Sequence, residues 1–251
     1  MFAKVINPEH LRNLRAQKQS QLIGTTIHSK KVSLMHSLGY EFEEVVNGGA
    51  QGLIVKYRQI QTGRIVIVKF FLHRITFNIE SEIYRRIQNE YPQLQRFVVN
   101  VLDMQPYPPG ASLEDIVGEA ELIITRRIMN INNGGGVIIM EWLSGGDLSE
   151  PEQFIRILKN PDWYKQWRVF LEDVKKVCLS IHFHHNDLKL RNIFFEINSP
   201  NEITFKLGDF GHSKFPSPNI EYAELERFDS WIEHEWDEIV EITKWRLSLI
   251  E

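Results

Sequence analysis

Cysteine is almost missing from this chain of 251 residues, because Cys178 is the only one and no disulfide can form within the chain. Such scarcity is typical of proteins in a reducing compartment. No apolar run approaches the roughly 20 residues that a membrane-spanning helix needs. The opening sequence, MFAKVINPEH, also lacks the apolar core of a secretion signal. We therefore predict a cytoplasmic protein with no membrane span.

A dominant charge of one sign is lacking as well. The chain has 29 Lys and Arg against 33 Asp and Glu, a formal net charge of −4, and we predict no nucleic-acid partner. The charges are unevenly placed, because residues 1–36 are basic with Glu9 as their one acid, whereas residues 221–251 are strongly acidic. The two regions could attract each other or bind partners, although two solvated surfaces are the simpler interpretation.

Strand-like patterns dominate the first half of the chain and helical patterns the second. Residues 40–71 contain three strand-like runs, joined by the glycine-rich NGGAQG and the turn QTGR. Helices are predicted at 77–89, 151–158, 162–181 and in the acidic C-terminal part, and extended segments at 97–104 and 121–128. This distribution predicts an α+β protein in two lobes. We place a basic helical arm at 1–36, the first lobe at 37–141 and the second at 142–251.

The strongest signal for chemistry is His185–Asn192, with the sequence HNDLKLRN. It resembles the catalytic loop of protein kinases, H-R-D-x-x-x-x-N, with Asn186 in the place of the Arg. Downstream, Asp209-Phe210-Gly211 resembles the metal-binding D-F-G of the same family. A lone D-F-G is common by chance, but the catalytic-loop pattern, a hairpin and then D-F-G form a specific combination.

Four further segments occur in the order found in protein kinases. Asn47–Gly52 resembles the glycine-rich phosphate loop, Val66–Lys69 the V-A-I-K strand, Phe77–Ile87 the helix whose Glu pairs with that Lys, and Ile138–Leu148 the hinge that binds adenine. The resemblance covers roughly residues 37–213. It implies a bilobal protein-kinase-like fold with a β-rich first lobe and a reduced helical second lobe.

The resemblance also implies a role for each matching catalytic residue. Phosphoryl transfer depends on positioning and on cations that offset the negative charge of the transferring group. Lys69 would hold the phosphates of ATP and Glu80 would be its carboxylate partner. Asp187 would accept or orient the acceptor hydroxyl, and Lys189 would steady the γ-phosphate.

The implied cofactors are ATP and Mg²⁺. The positions implied for ATP are Gly48, Gly49, Ala50, Gly52, Lys69, Glu141, Leu143 and Asp147, and those implied for Mg²⁺ are Asn192 and Asp209. Small residues let backbone N–H groups approach phosphates, and carboxylate and amide oxygens are ligands suited to Mg²⁺. His185 is interpreted as a structural residue that packs the loop under Asp209, and not as a base.

Two points of the resemblance stay open in the sequence. Helix phase favours Glu80 as the partner of Lys69, because it flanks the face formed by Ile79, Ile83 and Ile87, but Glu82 remains an alternative. The segment Trp236–Val240 could begin the central helix of the second lobe, where an Asp braces the catalytic loop.

The sequence also departs from the family after the D-F-G motif. Asn186 replaces an Arg that contacts a phosphorylated activation loop in many kinases, so activation by that route is not expected. Forty residues follow Gly211 and hold no A-P-E motif. A protein partner could complete the lobe or activate the protein, or the substrate could be recognised differently.

The sequence therefore predicts a compact Ser/Thr-type protein kinase with a protein substrate. A small-molecule kinase, similar to aminoglycoside or choline phosphotransferases, is the alternative enzyme, since those proteins share the ATP site and also lack A-P-E. A pseudokinase or ATP-binding scaffold is the alternative without catalysis.

Overall fold

The computed structural model describes residues 33–49, 52–108, 111, 115–116 and 135–248, which all belong to one compact unit, Ser33–Glu251. The predicted extended segment 121–128, most of the predicted arm and Ala50 lie outside the described residues. The last residues of the predicted arm belong to the main unit. They form a short helix, α1 (Leu34–Ser37), whose Met35 is completely buried.

An antiparallel sheet forms the first part of this unit. Its strands within the described residues are β1 (Tyr40–Gly49), β2 (Gly52–Gln59), β3 (Ile65–Phe71), β4 (Val101–Pro106) and β5 (Gly136–Glu141), in the order β1-β2-β3-β5-β4. Burial alternates along β2, as expected of a strand that turns one face toward a core. Val55, Val66 and Ile139 belong to the cluster that this face covers.

Helix α2 (Arg74–Glu90) follows β3. The sequence placed Ile79, Ile83 and Ile87 together on its buried face, and this is wrong for Ile79, which is 43% exposed. The buried residues are Phe77, Glu80, Ser81, Ile83, Tyr84 and Ile87. The phase was misjudged because the buried face includes Glu80, a charged residue that hydrophobic phasing assigns to the edge.

The rest of the unit is mainly helical. Its elements are α3 (Pro92–Gln95), α4 (Pro151–Leu158), α5 (Trp163–Ser180), α6 (Tyr222–Ser248) and a small sheet of β6 (Gly146–Asp147), β7 (Ile193–Ser199) and β8 (Glu202–Leu207). A 3₁₀ turn at Leu190–Asn192 leads into β7. Trp167 on α5 and Trp236 on α6 are both buried in the same core.

The mixed α+β content expected from the sequence is confirmed. The predicted helices at 151–158 and 162–181 correspond to α4 and α5. In the part of the chain that the structure describes, no helix is both long and apolar enough to cross a membrane.

Candidate functional site

Lys69 on β3 is the buried charge from which the site is built. Its Nζ lies 2.7 Å from Oε2 of Glu80 on α2 and 2.7 Å from Oδ1 of Asp209, which follows β8. The Lys69 side chain is 9% exposed and that of Glu80 is 1% exposed. A buried ammonium is stable only where carboxylates offset its lost hydration, and here two carboxylates from different elements do so.

The pKa values in this cluster follow from burial and from the shared ammonium. Burial alone would lower the pKa of Lys69, but the charges of Glu80 and Asp209 outweigh it, so the pKa is raised. Burial would raise the pKa of Asp209, yet Lys69 outweighs it and the pKa is lowered. Complete burial raises the pKa of Glu80 in spite of Lys69. Lys69 and Asp209 are therefore the firmly charged pair.

The structure also distinguishes the two candidate partners of Lys69. Glu80 contacts Lys69, whereas Glu82 is 59% exposed and pairs with Arg85 at 3.2 Å. Two positions along a helix correspond to a rotation of about 200°, so the two carboxylates point to opposite sides of α2.

These two glutamates give a matched pair of variants. Glu80→Gln should lower the free energy of unfolding by about 2 kcal/mol, because Lys69 loses the charge of its buried carboxylate partner and keeps only that of the partly exposed Asp209. Glu82→Gln should stay within about 0.5 kcal/mol of wild type, since its ion pair is exposed. Urea unfolding at neutral pH measures both, and equal values would contradict the assignment of Glu80 as the buried partner.

The loop between α5 and β7 carries the second group of polar residues. Nζ of Lys189 lies 2.5 Å from Oδ1 of Asp187. Nδ2 of Asn192 donates to the backbone oxygen of Asp187 at 2.8 Å and to its Oδ2 at 3.2 Å. Asn186 has a φ of 62°, a left-handed conformation that Asn adopts more readily than the larger Arg. The loop therefore turns tightly and presents Asp187 between an ammonium and an amide.

Glu235 on α6 anchors this loop. Its Oε1 accepts a hydrogen bond from the Leu188 N–H at 2.8 Å, and its Oε2 lies 3.4 Å from Nε2 of His184. Sequence reasoning missed Glu235 and considered Trp236–Val240 instead. Asp237, the Asp in that segment, is 69% exposed and pairs with Lys175. The loop is therefore braced by an acid two positions earlier, on the buried side of α6.

His185 joins the loop to the segment around Asp209. Its Nε2 donates to the Gly208 carbonyl at 3.1 Å, and its ring packs on Phe210 with centroids 5.1 Å apart. Nδ1 is buried with no hydrogen-bond partner among the described residues. Burial lowers the pKa of His185 from 6.5 to about 4. The imidazole is therefore neutral near pH 7 and holds the Gly208–Phe210 segment in place, in agreement with the structural role that the sequence favoured.

The lowered pKa of His185 predicts a pH dependence of stability. As pH falls below about 6.5, the unfolded chain binds a proton at His185 that the folded chain binds only near pH 4. The contribution of His185 to the free energy of unfolding should therefore fall by about 1.4 kcal/mol per pH unit across that window. His185→Gln keeps an N–H donor without titrating, so urea unfolding should show a shallower pH dependence for this variant. Parallel curves for the two proteins would contradict the prediction.

One cavity of about 680 Å³ contains both groups of residues. Lys69, Glu80 and Asp209 line one part of it, and Asp187 and Asn192 line another. The apolar lining residues include Ile54, Ile67, Val99, Met140, Leu143 and Phe194, of which only Leu143 was predicted from the sequence as a position for ATP. Apolar and polar residues alternate along the strands in the sequence, but this pattern does not distinguish residues that line a cavity from ordinary core residues. Apolar walls with a charged end suit a flat ring that carries an anionic chain.

Glu141, Leu143 and Asp147, the hinge positions implied for ATP, also line this cavity. The Glu141 carboxylate is held by Nζ of Lys206 at 2.9 Å and by the Asn100 N–H at 2.8 Å, and its own backbone N–H donates to the Asn100 carbonyl at 2.9 Å. Leu143 is 6% exposed. Asp147 accepts hydrogen bonds from the backbone N–H and the hydroxyl of Ser149, which orients its carboxylate.

The described residues of the glycine-rich segment belong to the end of β1 and the beginning of β2, which pair with each other. Gly49 pairs with Gly52, Gly48 belongs to β1, and Ala50 lies outside the described residues. A Cβ at Gly52 would lie 2.1 Å from the backbone oxygen of Phe70, so close strand approach already requires glycine there. Gly52 also lines the cavity. The close approach of the strands therefore explains glycine at position 52, whether or not Gly52 also binds phosphates.

Asn192 and Asp209 are the candidate metal ligands, and they line the same cavity. Because Nδ2 of Asn192 donates to Asp187, its amide oxygen is the atom left to coordinate a cation. Asp209 carries the oxygen chemistry that Mg²⁺ prefers, and its lowered pKa keeps it ionised. The described residues hold no group of three or more His, Cys, Asp or Glu that could bind a metal alone. These ligands fit Mg²⁺ held partly by a bound phosphate, which is a common arrangement for this ion.

No protein-family model matches this chain, and no curated protein matches it either.

Proposed function

We propose that this protein is an ATP- and Mg²⁺-dependent phosphotransferase with a bilobal protein-kinase-like fold, and that it transfers the γ-phosphate to a Ser or Thr hydroxyl of a protein. One observation carries the proposal. A buried lysine shared by Glu80 and Asp209 lines the same cavity as the triad of Asp187, Lys189 and Asn192. The boundary between the two proposed lobes would lie near residue 141.

We also propose a cytoplasmic location, with which the buried, unpaired Cys178 is compatible.

Each group has a task in this reaction. The ammonium of Lys69 would bind the phosphates, and Glu80 sets its direction from a completely buried position. The oxygen of the acceptor hydroxyl would attack the γ-phosphorus while Asp187 accepts the hydroxyl proton. The bond between the γ-phosphorus and the β–γ bridging oxygen would break, which releases ADP. Lys189, now paired with Asp187, would turn toward the negative charge on the transferring group.

Asp209 and the amide oxygen of Asn192 would hold Mg²⁺, which when bound offsets the negative charge of the phosphates. The hydrogen bond from His185 to Gly208 would fix the position of the two ligands relative to each other, because it joins the loop of Asn192 to the segment of Asp209. The resemblance of D-L-K at Asp187–Lys189 to Ser/Thr protein kinases supports a protein hydroxyl as the acceptor.

The test is transfer of labelled γ-phosphate by the full chain in the presence of Mg²⁺. Acceptors should include a generic basic protein, the protein itself, and aminoglycosides and choline. We expect label in protein, and its loss when EDTA removes the metal. If only the aminoglycosides or choline were labelled, the acceptor would be a small molecule and not a protein. ATP binding with no transfer to any acceptor would favour a binding module, and failure to bind ATP would contradict the proposal.

A further inference from the structure

The position of α2 decides whether Glu80 reaches Lys69, because Glu80 is carried on the middle of that helix. One attachment of this helix lies near the site, where Tyr84 packs edge-on against Phe210 with ring centroids 5.0 Å apart. A second attachment lies at the end of the helix. There Tyr91 stacks on Phe215 with centroids 4.7 Å apart and an angle of 17° between the rings.

Arg86 strengthens the second attachment. Its guanidinium lies 4.0 Å from the centre of the Phe215 ring and 5.8 Å from that of Tyr91. Its Nη2 donates to the Tyr91 hydroxyl at 3.1 Å, and its Nε donates to Glu90 at 3.2 Å. A guanidinium held over an aromatic face adds electrostatic attraction to the ring stacking. We call Arg86, Tyr91 and Phe215 the aromatic clamp.

Phe183 connects the two attachments on the side away from α2. Its ring lies 4.9 Å from Phe215 and 5.8 Å from Phe210, measured between centroids. The rings of Tyr84, Phe210, Phe183, Phe215 and Tyr91 therefore form a chain that starts on α2 and ends at Tyr91, the residue directly after this helix. Tyr84 lies within α2 and Tyr91 caps its C-terminal end, so the chain of rings attaches the helix at two points.

The segment after Asp209 is held by its own contacts as well. Lys214 and His184 exchange backbone hydrogen bonds at 2.9 and 3.0 Å, and the Ser213 hydroxyl donates to the His185 carbonyl at 2.9 Å. Ser213 is buried, so of the two serines in residues 211–221 only Ser217 is exposed. The segment that carries Phe215 is thus in place without any added group.

We propose that the aromatic clamp is a built-in positioning device that keeps Glu80 on Lys69, so that the site is assembled without covalent modification of residues 211–221. Its effect on rate rests on the proposed function. Its effect on the helix does not, because the contacts of Arg86 and Phe215 lie outside the nucleotide cavity. Arg86, Tyr91 and Phe215 are positioning residues that touch no reacting atom.

Neighbouring arginines supply the matched test. Arg86→Met should lower kcat by about tenfold while leaving the KM for the acceptor near the wild-type value, because a displaced Glu80 affects the phosphate end of the site. Arg85→Met, on an exposed ion pair, should leave both constants unchanged. Phe215→Ala should lower kcat at least as much as Arg86→Met, and Phe215→Tyr, which keeps the ring, should restore it. Ser217→Ala should leave the rate unchanged.

Amide hydrogen exchange without nucleotide tests the clamp whether or not phosphate is transferred. Arg86→Met should speed exchange within residues 74–90 and leave α5 and α6 unchanged, whereas Arg85→Met should match wild type. Unchanged exchange in α2 for both Arg86→Met and Phe215→Ala would overturn the proposal, as would loss of activity in Ser217→Ala. If wild type transfers no phosphate, the proposed function fails, and the exchange result still decides the clamp.

Discussion

Asp187→Asn is expected to lower the rate of phosphate transfer by about 10²- to 10⁴-fold, the usual loss when a general base is removed. The change should leave the loop intact. Asn192 also donates to the backbone oxygen of Asp187 at 2.8 Å, a contact that does not depend on the side chain. Lys189 would lose its charged partner but not its position in the chain. The variant should therefore bind ATP with wild-type affinity and fail in the chemical step.

Asp237→Asn is the matched control for this prediction, because it makes the same chemical change at an exposed carboxylate that pairs with Lys175. Its transfer rate should equal that of wild type. Single-turnover transfer of labelled phosphate and a separate measurement of ATP binding distinguish the step that is lost. A wild-type rate in Asp187→Asn would show that Asp187 is not the base. Loss of ATP binding in that variant would show that its role is in binding.

The site residues that could be predicted from the sequence are those that belong to a short local motif. Asp187 and Asn192 belong to one loop, and their spacing determines that both face the same turn. Lys69 and Asp209 are 140 residues apart, and their contact could be inferred only because several motifs occur in a familiar order. The α+β content followed from strand and helix periodicity in the two halves.

The features that escaped the sequence depend on tertiary contacts. Helical periodicity assumes that charged residues point outward, so it placed Ile79 in the core and Glu80 at its edge. The structure has Glu80 buried, where it pairs with Lys69, and Ile79 exposed. The strand approach that requires glycine at Gly52 is invisible without the neighbouring backbone of Phe70. A stacked pair such as Tyr91 and Phe215 carries no signature in the sequence at all.

Glu235→Ala is expected to have a large effect as well, because its carboxylate accepts the hydrogen bond that holds the loop at Leu188. Leu188 directly follows Asp187, so this bond fixes the backbone beside the proposed base. Removing the acceptor leaves the Leu188 N–H without its charged partner, which predicts a loss of about 2 kcal/mol in the free energy of unfolding. Asp187 would also lose its fixed direction, and phosphate transfer should fall along with stability.

Two further variants separate the brace from a general effect on α6. Glu238→Ala makes the same change at an exposed position of the helix, so urea unfolding and phosphate transfer should both stay near wild type. Glu235→Gln keeps a carbonyl oxygen that can accept from the Leu188 N–H, and its stability should lie between those of Glu235→Ala and wild type. If Glu235→Ala were as stable and active as Glu238→Ala, the loop would not depend on Glu235. The graded order would instead identify hydrogen-bond acceptance, rather than helix propensity, as what α6 contributes to the position of Asp187.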